Sequence, residues 1–213
     1  MHTGSYSTVV LIGFSTAGKS TFLKRASGAF GDRIQCLDSD KWIAQSFDKE
    51  HIFEIFMQQG RDLALQQIAE KENHFLDTFS QPQSRSTLIA AGPFIPMRPS
   101  WTAYVTEIRP YIIHLTISPE DVYEGLMHRR RQHAAMVDAG HEVFGSWDKD
   151  ITTTWYGSRY VQLPKEVAIE NISRSMAAVV PTYQQFQHIS FPGGEHASHQ
   201  AIEEEIYTRL GIK

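Results

Sequence analysis

The segment that most constrains this chain is the stretch GFSTAGKST at positions 13–21. It matches the pattern GxxxxGK[ST], and the apolar residues Val9 to Ile12 directly precede it. When a strand leads into such a loop and a helix follows it, the backbone N–H groups of the loop point toward one place, where they can surround a phosphate. The pattern therefore predicts a strand–loop–helix unit that binds phosphate groups.

Each residue type in this loop suits nucleotide binding. Gly13 and Gly18 permit tight turns and a close approach of the backbone. Lys19 is predicted to contact the β- and γ-phosphates, and the Ser20 hydroxyl to bind Mg²⁺. The predicted nucleotide contacts are Gly13, Ser15, Thr16, Ala17, Gly18, Lys19, Ser20 and Thr21. A chance match in a glycine- and serine-containing loop is the alternative, and the flanking strand and helix patterns disfavour it.

Two acidic residues, Asp38 and Asp40, follow the second apolar run, Ile34–Leu37. Ligands of open α/β sheets bind at the carboxyl ends of the strands. Two acids at such an edge can divide the work, since one can hold Mg²⁺ and the other can orient or deprotonate a substrate hydroxyl. We assign Mg²⁺ to Asp38 together with Ser20, and the hydroxyl to Asp40. The alternative is a turn or helix-capping aspartate before Lys41.

Short apolar runs alternate with amphipathic stretches, as in βαβ units on a parallel sheet. The predicted strands are Ser7–Ile12, Ile34–Leu37, Thr87–Ala91, Tyr111–Ile117 and Gln187–Phe191. The predicted helices are Ser20–Phe30, Ile52–Phe79 with a break near Gly60, Pro99–Ile108, Pro119–Ala135, Lys165–Phe186 and His199–Leu210. We therefore expect a three-layer α/β fold.

Composition bounds the class of protein. A length of 213 residues with 41% hydrophobic residues predicts a single domain over 1–213 with a real core. The net charge of −4 disfavours a nucleic-acid partner. Cys36, the single cysteine, excludes an internal disulfide, and the N-terminus has no signal-peptide pattern. We expect a cytoplasmic protein without a membrane partner, either a monomer or a homodimer.

Residues Val137 to Pro164 match neither a strand nor a helix pattern, and they make up most of a segment from about 132 to 164. They contain Gly140, Gly145 and Gly157, with Trp147 and Trp155 among polar residues. Long connections of this kind in a compact domain are usually functional. We predict that this segment is an inserted lid that covers the substrate. The alternative is a surface loop that packs on its own aromatic residues.

Several segments resemble the small P-loop kinases of the shikimate kinase and gluconate kinase type, within the nucleoside monophosphate kinase fold. They are GFSTAGKST at 13–21, LDSD at 37–40, IFEIFMQQG at 52–60, LIAAGP at 88–93, HLTISPEDVYEGLMHRR at 114–130 and Pro181-Thr182-Tyr183. The resemblance implies a P-loop NTPase fold with a five-stranded parallel sheet in the order 2-3-1-4-5 and an inserted lid. It also implies ATP- and Mg²⁺-dependent phosphoryl transfer to a hydroxyl of a small molecule.

By the same resemblance, arginines at the start of the lid contact the nucleotide. The sequence His128-Arg129-Arg130-Arg131 ends the helix before the lid. Arg129 is predicted to bind the cofactor, and Arg130 to reach the transferring phosphoryl group as a catalytic residue. A solvated basic helix C-terminus is the alternative.

The acceptor half departs from the family pattern. Shikimate kinases hold the substrate carboxylate with two arginines, and Ala64 and Val179 occupy those positions here. Because neither residue can replace a bidentate Arg–carboxylate pair, shikimate is not the expected acceptor. Two alternatives therefore stay open: a nucleoside or nucleotide kinase, and a nucleotide-dependent binding or regulatory module without kinase activity.

Overall fold

The computed structural model describes residues 7–59, 61–81, 84–132, 152–156 and 159–212. Its strands are β1 (Thr8–Gly13), β2 (Ile34–Asp38), β3 (Ser86–Ala90), β4 (Tyr111–Thr116), β5 (Thr153–Tyr156), β6 (Arg159–Gln162) and β7 (Ile189–Pro192). Five of them form a parallel sheet in the order β2-β3-β1-β4-β7. Numbered within that sheet, the order is 2-3-1-4-5, which confirms the predicted fold class.

Helices cover both faces of the sheet. They are α1 (Lys19–Phe30), α2 (Ser39–Gln45), α3 (Ile52–Gln59), α4 (Arg61–Phe79), α5 (Pro99–Ile108), α6 (Pro119–Gln132), α7 (Lys165–Phe186) and α8 (His199–Leu210). Helix α3 ends at Gln59 and α4 begins at Arg61, and Gly60, near which a break was predicted, lies outside the described residues. No helix among the described residues has the length and apolar character needed to cross a membrane.

Strand β1 lies at the centre of the sheet, and all six of its residues are buried. Alternate side chains enter the two layers. Val10 and Ile12 pack in the cluster that holds Trp101 and Tyr183, and Val9 and Leu11 pack in the one around Phe22 and Ile206. A strand that is covered on both faces reads as a continuous apolar run, which is why the sequence showed it.

Two elements differ from the sequence expectation. Helix α2 (Ser39–Gln45) was not predicted, because its seven residues are too few for a clear amphipathic period. Within the predicted lid, β5 and β6 pair as an antiparallel hairpin. The rest of that segment, 133–151 and 157–158, lies outside the described residues, as do the last three residues of the predicted helix Pro119–Ala135. The lid therefore stays a prediction.

Two glycines test how tightly the sheet and its helices are packed. An alanine at Gly28, on the exposed side of α1, meets no neighbouring atom, so Gly28→Ala should raise the free energy of unfolding by about 0.5–1 kcal/mol. Gly13 has a φ of 149°, and a Cβ there would lie 2.5 Å from the Leu115 carbonyl oxygen. Gly13→Ala should therefore lower the free energy of unfolding by at least about 1 kcal/mol. Urea titrations of both variants measure the difference; equal effects would contradict the packing described.

Candidate functional site

The parallel strands bring three loops together at their carboxyl ends. The loop at 13–18 follows β1, Asp38 ends β2, and Ala91, Gly92 and Pro93 follow β3. The Gly92 N–H donates to Ser39 Oγ at 2.8 Å, which joins the last two of these segments. Residues predicted from separate stretches of sequence thus meet at one edge of the sheet.

Positive φ angles shape the loop after β1. Gly18 has a φ of 93° and is the N-cap of α1, and its carbonyl accepts from Thr21 N at 3.0 Å and Phe22 N at 3.2 Å. Lys19 Nζ donates to the carbonyls of Gly13 at 2.7 Å and Phe14 at 2.9 Å. The ammonium group therefore folds back over the loop and is held by two of its backbone carbonyls.

Burial lowers the pKa of Lys19 to about 8, although Asp40 and Asp38 act in the opposite direction. Asp40 shows the converse effect. Protein atoms packed around its carboxyl raise its pKa, although it keeps solvent-accessible surface, and Asp38 adds to the rise. Lys19 and Arg129 oppose that rise. Lys19 and Asp40 are thus neighbours in one partly desolvated site, where opposite charges interact strongly.

Asp38 serves two partners with its two carboxylate oxygens. Oδ1 accepts from the backbone N–H groups of Asp40 at 3.1 Å and Lys41 at 3.3 Å, so Asp38 is the N-cap of α2. Oδ2 accepts from Ser20 Oγ at 2.7 Å. Asp38 therefore caps α2 with one carboxylate oxygen and contacts Ser20 with the other.

The Ser20 hydroxyl and the Asp38 carboxylate are hard oxygen ligands of the kind Mg²⁺ binds. No group of three or more His, Cys, Asp or Glu side chains suited to a metal occurs among the described residues. Magnesium commonly takes one or two protein oxygens and completes its shell with phosphates and water. The pair Ser20–Asp38 fits that mode of binding.

Asp40 lies against the turn after β3. A Cβ built on Gly92 would lie 2.6 Å from Asp40 Oδ1, so this position accepts only glycine without a shift of the carboxylate. Ser39, one residue earlier, is fully buried and accepts the Gly92 N–H. The sequence analysis missed this role of Ser39, since a serine between two aspartates has no distinctive pattern.

The basic end of α6 approaches the same site. The charge of Arg129 lowers the pKa of both Lys19 and Asp40. The side chain of Arg130 is outside the described set, so its predicted role is untested. Arg131 is exposed and lines a cavity beside the loop.

That cavity has a volume of about 420 Å³ and lies between the 13–18 loop, α6 and the segment after β7. Its walls include Thr16, Gly18, Gly125, His128, Glu195 and His199. Thr16 has a φ of 66°, an uncommon value for a β-branched residue, and a Cβ on Gly125 would come within 2.7 Å of its side chain. The loop and α6 therefore fit together closely at this wall.

At two positions where the shikimate kinase pattern has an arginine, this chain has Ala64 and Val179. Ala64 is fully buried with Ile43, Ile55 and Ile68, and Val179 is buried in the main core. Sequence analysis did not identify a nearby ion pair, in which Arg98 donates to the buried carboxylate of Glu72. The available signal was the spacing of Glu72 from Ala64 and Ile68, which puts a glutamate on the apolar face of α4.

At the level of sequence, no protein-family model and no curated protein matches the chain. Solved structures do match. Shikimate kinase from Bacteroides thetaiotaomicron superposes with a TM-score of 0.62 at 15% identity, over 96% of this chain and 98% of that one. Shikimate kinase from Acinetobacter baumannii in complex with shikimate gives 0.60 at 14% identity, over 94% and 90%.

Shikimate kinase from Aquifex aeolicus gives a TM-score of 0.52 at 15% identity, over 96% of each chain. These superpositions show that the folds are alike. Because the identities are this low, function has to be argued from the residues of the site. The order of the five parallel strands agrees with that similarity. The chain therefore has a P-loop kinase fold of the shikimate kinase type.

Proposed function

We propose that this protein is an ATP- and Mg²⁺-dependent kinase that phosphorylates a hydroxyl group of a small molecule other than shikimate. The observation that carries the proposal is the convergence of Lys19, the Ser20–Asp38 pair and Asp40 at the carboxyl edge of the sheet. A site that only binds phosphate and Mg²⁺ needs Lys19, Ser20 and Asp38 but no further carboxylate. Asp40 adds a carboxylate suited to a hydroxyl acceptor.

In this proposal each side chain has one task. Lys19 leaves the carbonyls of Gly13 and Phe14 to bind the phosphates, and Arg129 offsets the negative charge that develops during transfer. Asp40 accepts a hydrogen bond from the acceptor hydroxyl and takes its proton as that oxygen bonds to the γ-phosphorus of ATP, while the bond from the γ-phosphorus to the bridging oxygen breaks and ADP leaves. Ser20 and Asp38 would hold Mg²⁺, which neutralises phosphate charge when it is bound.

The cavity of about 420 Å³ beside the loop suits the nucleoside part of ATP. The segment from about 132 to 164 follows α6 directly, so its closure over the site would exclude water and limit hydrolysis of ATP. The proposal includes this lid, a catalytic contact from Arg130, and a single kinase domain over 1–213.

Acceptor-dependent release of ADP tests the function. Polyols, sugars, nucleosides and hydroxy acids are supplied with ATP and Mg²⁺, and at least one should stimulate release of ADP above the acceptor-free rate. Asp40→Asn should lower the stimulated kcat by a factor of about 10²–10⁴, because the proton acceptor is lost. Asp77→Asn, on the exposed face of α4, is the matched control and should leave kcat unchanged.

Each alternative has its own result in this assay. Tight ATP binding with no acceptor-stimulated ADP release would favour the binding or regulatory module. Stimulation by nucleosides or nucleotides alone would favour the nucleoside kinase. Full activity of both Asp40→Asn and Lys19→Ala would refute the kinase proposal.

The raised pKa of Asp40 gives a pH dependence with a definite sign. The carboxylate must be unprotonated to accept a proton, so kcat/KM should fall as the pH decreases through this pKa. The fall should occur at a higher pH than for an ordinary aspartate, whose pKa is about 3.9. A pH profile of kcat/KM measures it, and the acidic limb should be absent from the residual activity of Asp40→Asn.

The pKa of Lys19, about 8, predicts an alkaline effect on nucleotide binding. The ammonium loses its charge as the pH rises through this value, so the affinity for ADP should fall by at least about tenfold between pH 7.5 and pH 9.5. Calorimetric titration with ADP measures it. Lys24→Met, an exposed residue of α1, should keep this dependence, and Lys19→Met should lose it. The same dependence in both variants would contradict the assignment of Lys19.

A further inference from the structure

The turn that follows β3 is held from two sides by buried hydroxyl groups. Ser39 and Tyr183 are both fully buried. Ser39 Oγ, at the start of α2, accepts the Gly92 N–H at 2.8 Å. Tyr183 Oη, near the end of α7, donates to the Pro93 carbonyl at 2.5 Å. Two helices that are far apart in the sequence therefore bind adjacent residues of one turn.

Backbone hydrogen bonds fix the same turn. The Ala91 N–H donates to the Leu11 carbonyl at 3.0 Å, which continues the pairing of β3 with β1. The Gly92 carbonyl accepts from the Ile95 N–H at 3.2 Å. Because both backbone groups of Gly92 are paired and two buried side chains bind the turn, it has little freedom to move. It can therefore support a neighbouring side chain.

The side chain that lies on this turn is Asp40. A Cβ built on Gly92 would lie 2.6 Å from Asp40 Oδ1 and 3.4 Å from Ser39 Oγ, so both oxygens lie where that Cβ would project. The side chains of Ser39 and Asp40 also share a hydrogen bond. A hydroxyl that accepts one hydrogen bond can still donate its own proton, which suits a carboxylate partner.

Asp40 is thus fixed at both ends. Its backbone N–H donates to Asp38 Oδ1 at 3.1 Å, and its carboxyl group lies between Ser39 and Gly92. An aspartate side chain otherwise has several rotamers available. A group that takes a proton during a reaction must lie within hydrogen-bond reach of that proton, so a restricted rotamer favours the reaction.

We propose that Ser39, Gly92 and Tyr183 are positioning residues, which hold the Asp40 carboxylate in the orientation that phosphoryl transfer to a hydroxyl requires. Ser39 binds the carboxylate itself. Tyr183 acts at one remove, because it holds Pro93 and thereby keeps Gly92 against Asp40. This inference rests on the proposed kinase function, since the orientation of Asp40 affects the rate only if Asp40 takes part in the transfer.

Gly92→Ala tests the proposal by displacing the carboxylate without removing it. The backbone of Gly92 is outside the left-handed region, and the atom nearest to the new Cβ is the end of a side chain that can rotate, so the variant should fold. The kcat for acceptor-stimulated ADP release should fall by about tenfold or more, while the Kd for ADP with Mg²⁺ stays within about twofold. Gly28→Ala, the same substitution in open space, should change neither value.

Two further variants remove the hydroxyl groups. Ser39→Ala removes the hydrogen bond to Asp40 and should lower kcat by about tenfold or more. Tyr183→Phe releases Pro93 and should lower kcat by about threefold or more. In both variants the KM for ATP should stay within about twofold, because the phosphate loop is unchanged. If Ser39→Ala does not fold, Gly92→Ala and Tyr183→Phe decide the question.

The chain offers a matched control for each hydroxyl. Ser46→Ala removes a serine hydroxyl at the other end of α2, where it donates to the Ile43 carbonyl at 2.7 Å. Tyr104→Phe removes a buried tyrosine hydroxyl that has no hydrogen-bond partner in the described part of the chain. Neither group contacts the turn after β3, so both controls should keep the wild-type kcat.

A second readout needs no turnover. The ¹³C resonance of the Asp40 carboxyl group is recorded at one fixed pH in protein labelled at aspartate, and Asp40→Asn assigns it. The resonance should move by more than its linewidth in Ser39→Ala and in Gly92→Ala, because the surroundings of the carboxyl group change. It should stay in place in Ser46→Ala and Gly28→Ala.

The outcomes separate this inference from the kinase proposal. A displaced Asp40 resonance in both variants, with no turnover of any acceptor, would support the positioning of Asp40 and refute the kinase function. Turnover that requires Asp40 but is unchanged in Ser39→Ala and Gly92→Ala would overturn the positioning residues and leave the kinase intact. Equal losses of kcat and of ADP affinity, or an unmoved resonance in both variants, would also overturn them.

Discussion

The parallel register of β1, β2 and β3 is the constraint on which the site depends. Val10 lies beside Ile89, and Leu37 pairs with the same residue from the other side. Because all three strands run in one direction, their carboxyl ends meet at one edge, and the loops that follow them converge. The hydrogen bond from Gly92 to Ser39 and the bond from Ser20 to Asp38 then fix these loops against each other.

This arrangement is how a chain with net charge −4 would form the proposed phosphate site. The basic side chains involved are few, and each has carboxylate partners. Asp40 and Asp38 act to raise the pKa of Lys19, and Glu72 forms an ion pair with Arg98. Burial lowers the pKa of Lys19 and raises that of Asp40, so the two groups change charge at pH values closer together than in water. Perturbed pKa values with a specific charged partner are common at functional sites.

Sequence reasoning found the features with strong local signals. The buried strands, the GxxxxGKS loop and the paired aspartates were predictable because each follows a short-range pattern. Helix α2 was too short to show a period, and the role of Ser39 depends on Gly92, 53 residues away. The pair of Glu72 with Arg98 joins α4 to the start of α5, and such contacts follow from tertiary packing, which a single sequence does not specify.

We propose that Asp40 promotes transfer of the terminal phosphoryl group of ATP to a hydroxyl of a small molecule. ³¹P NMR of the protein with ATP, Mg²⁺ and neutral polyols measures this directly, because it distinguishes a phosphate ester from inorganic phosphate. We expect a new ester resonance with the wild type and its loss with Asp40→Asn. Inorganic phosphate as the only new product of the wild type, or an ester formed equally well by Asp40→Asn, would contradict it.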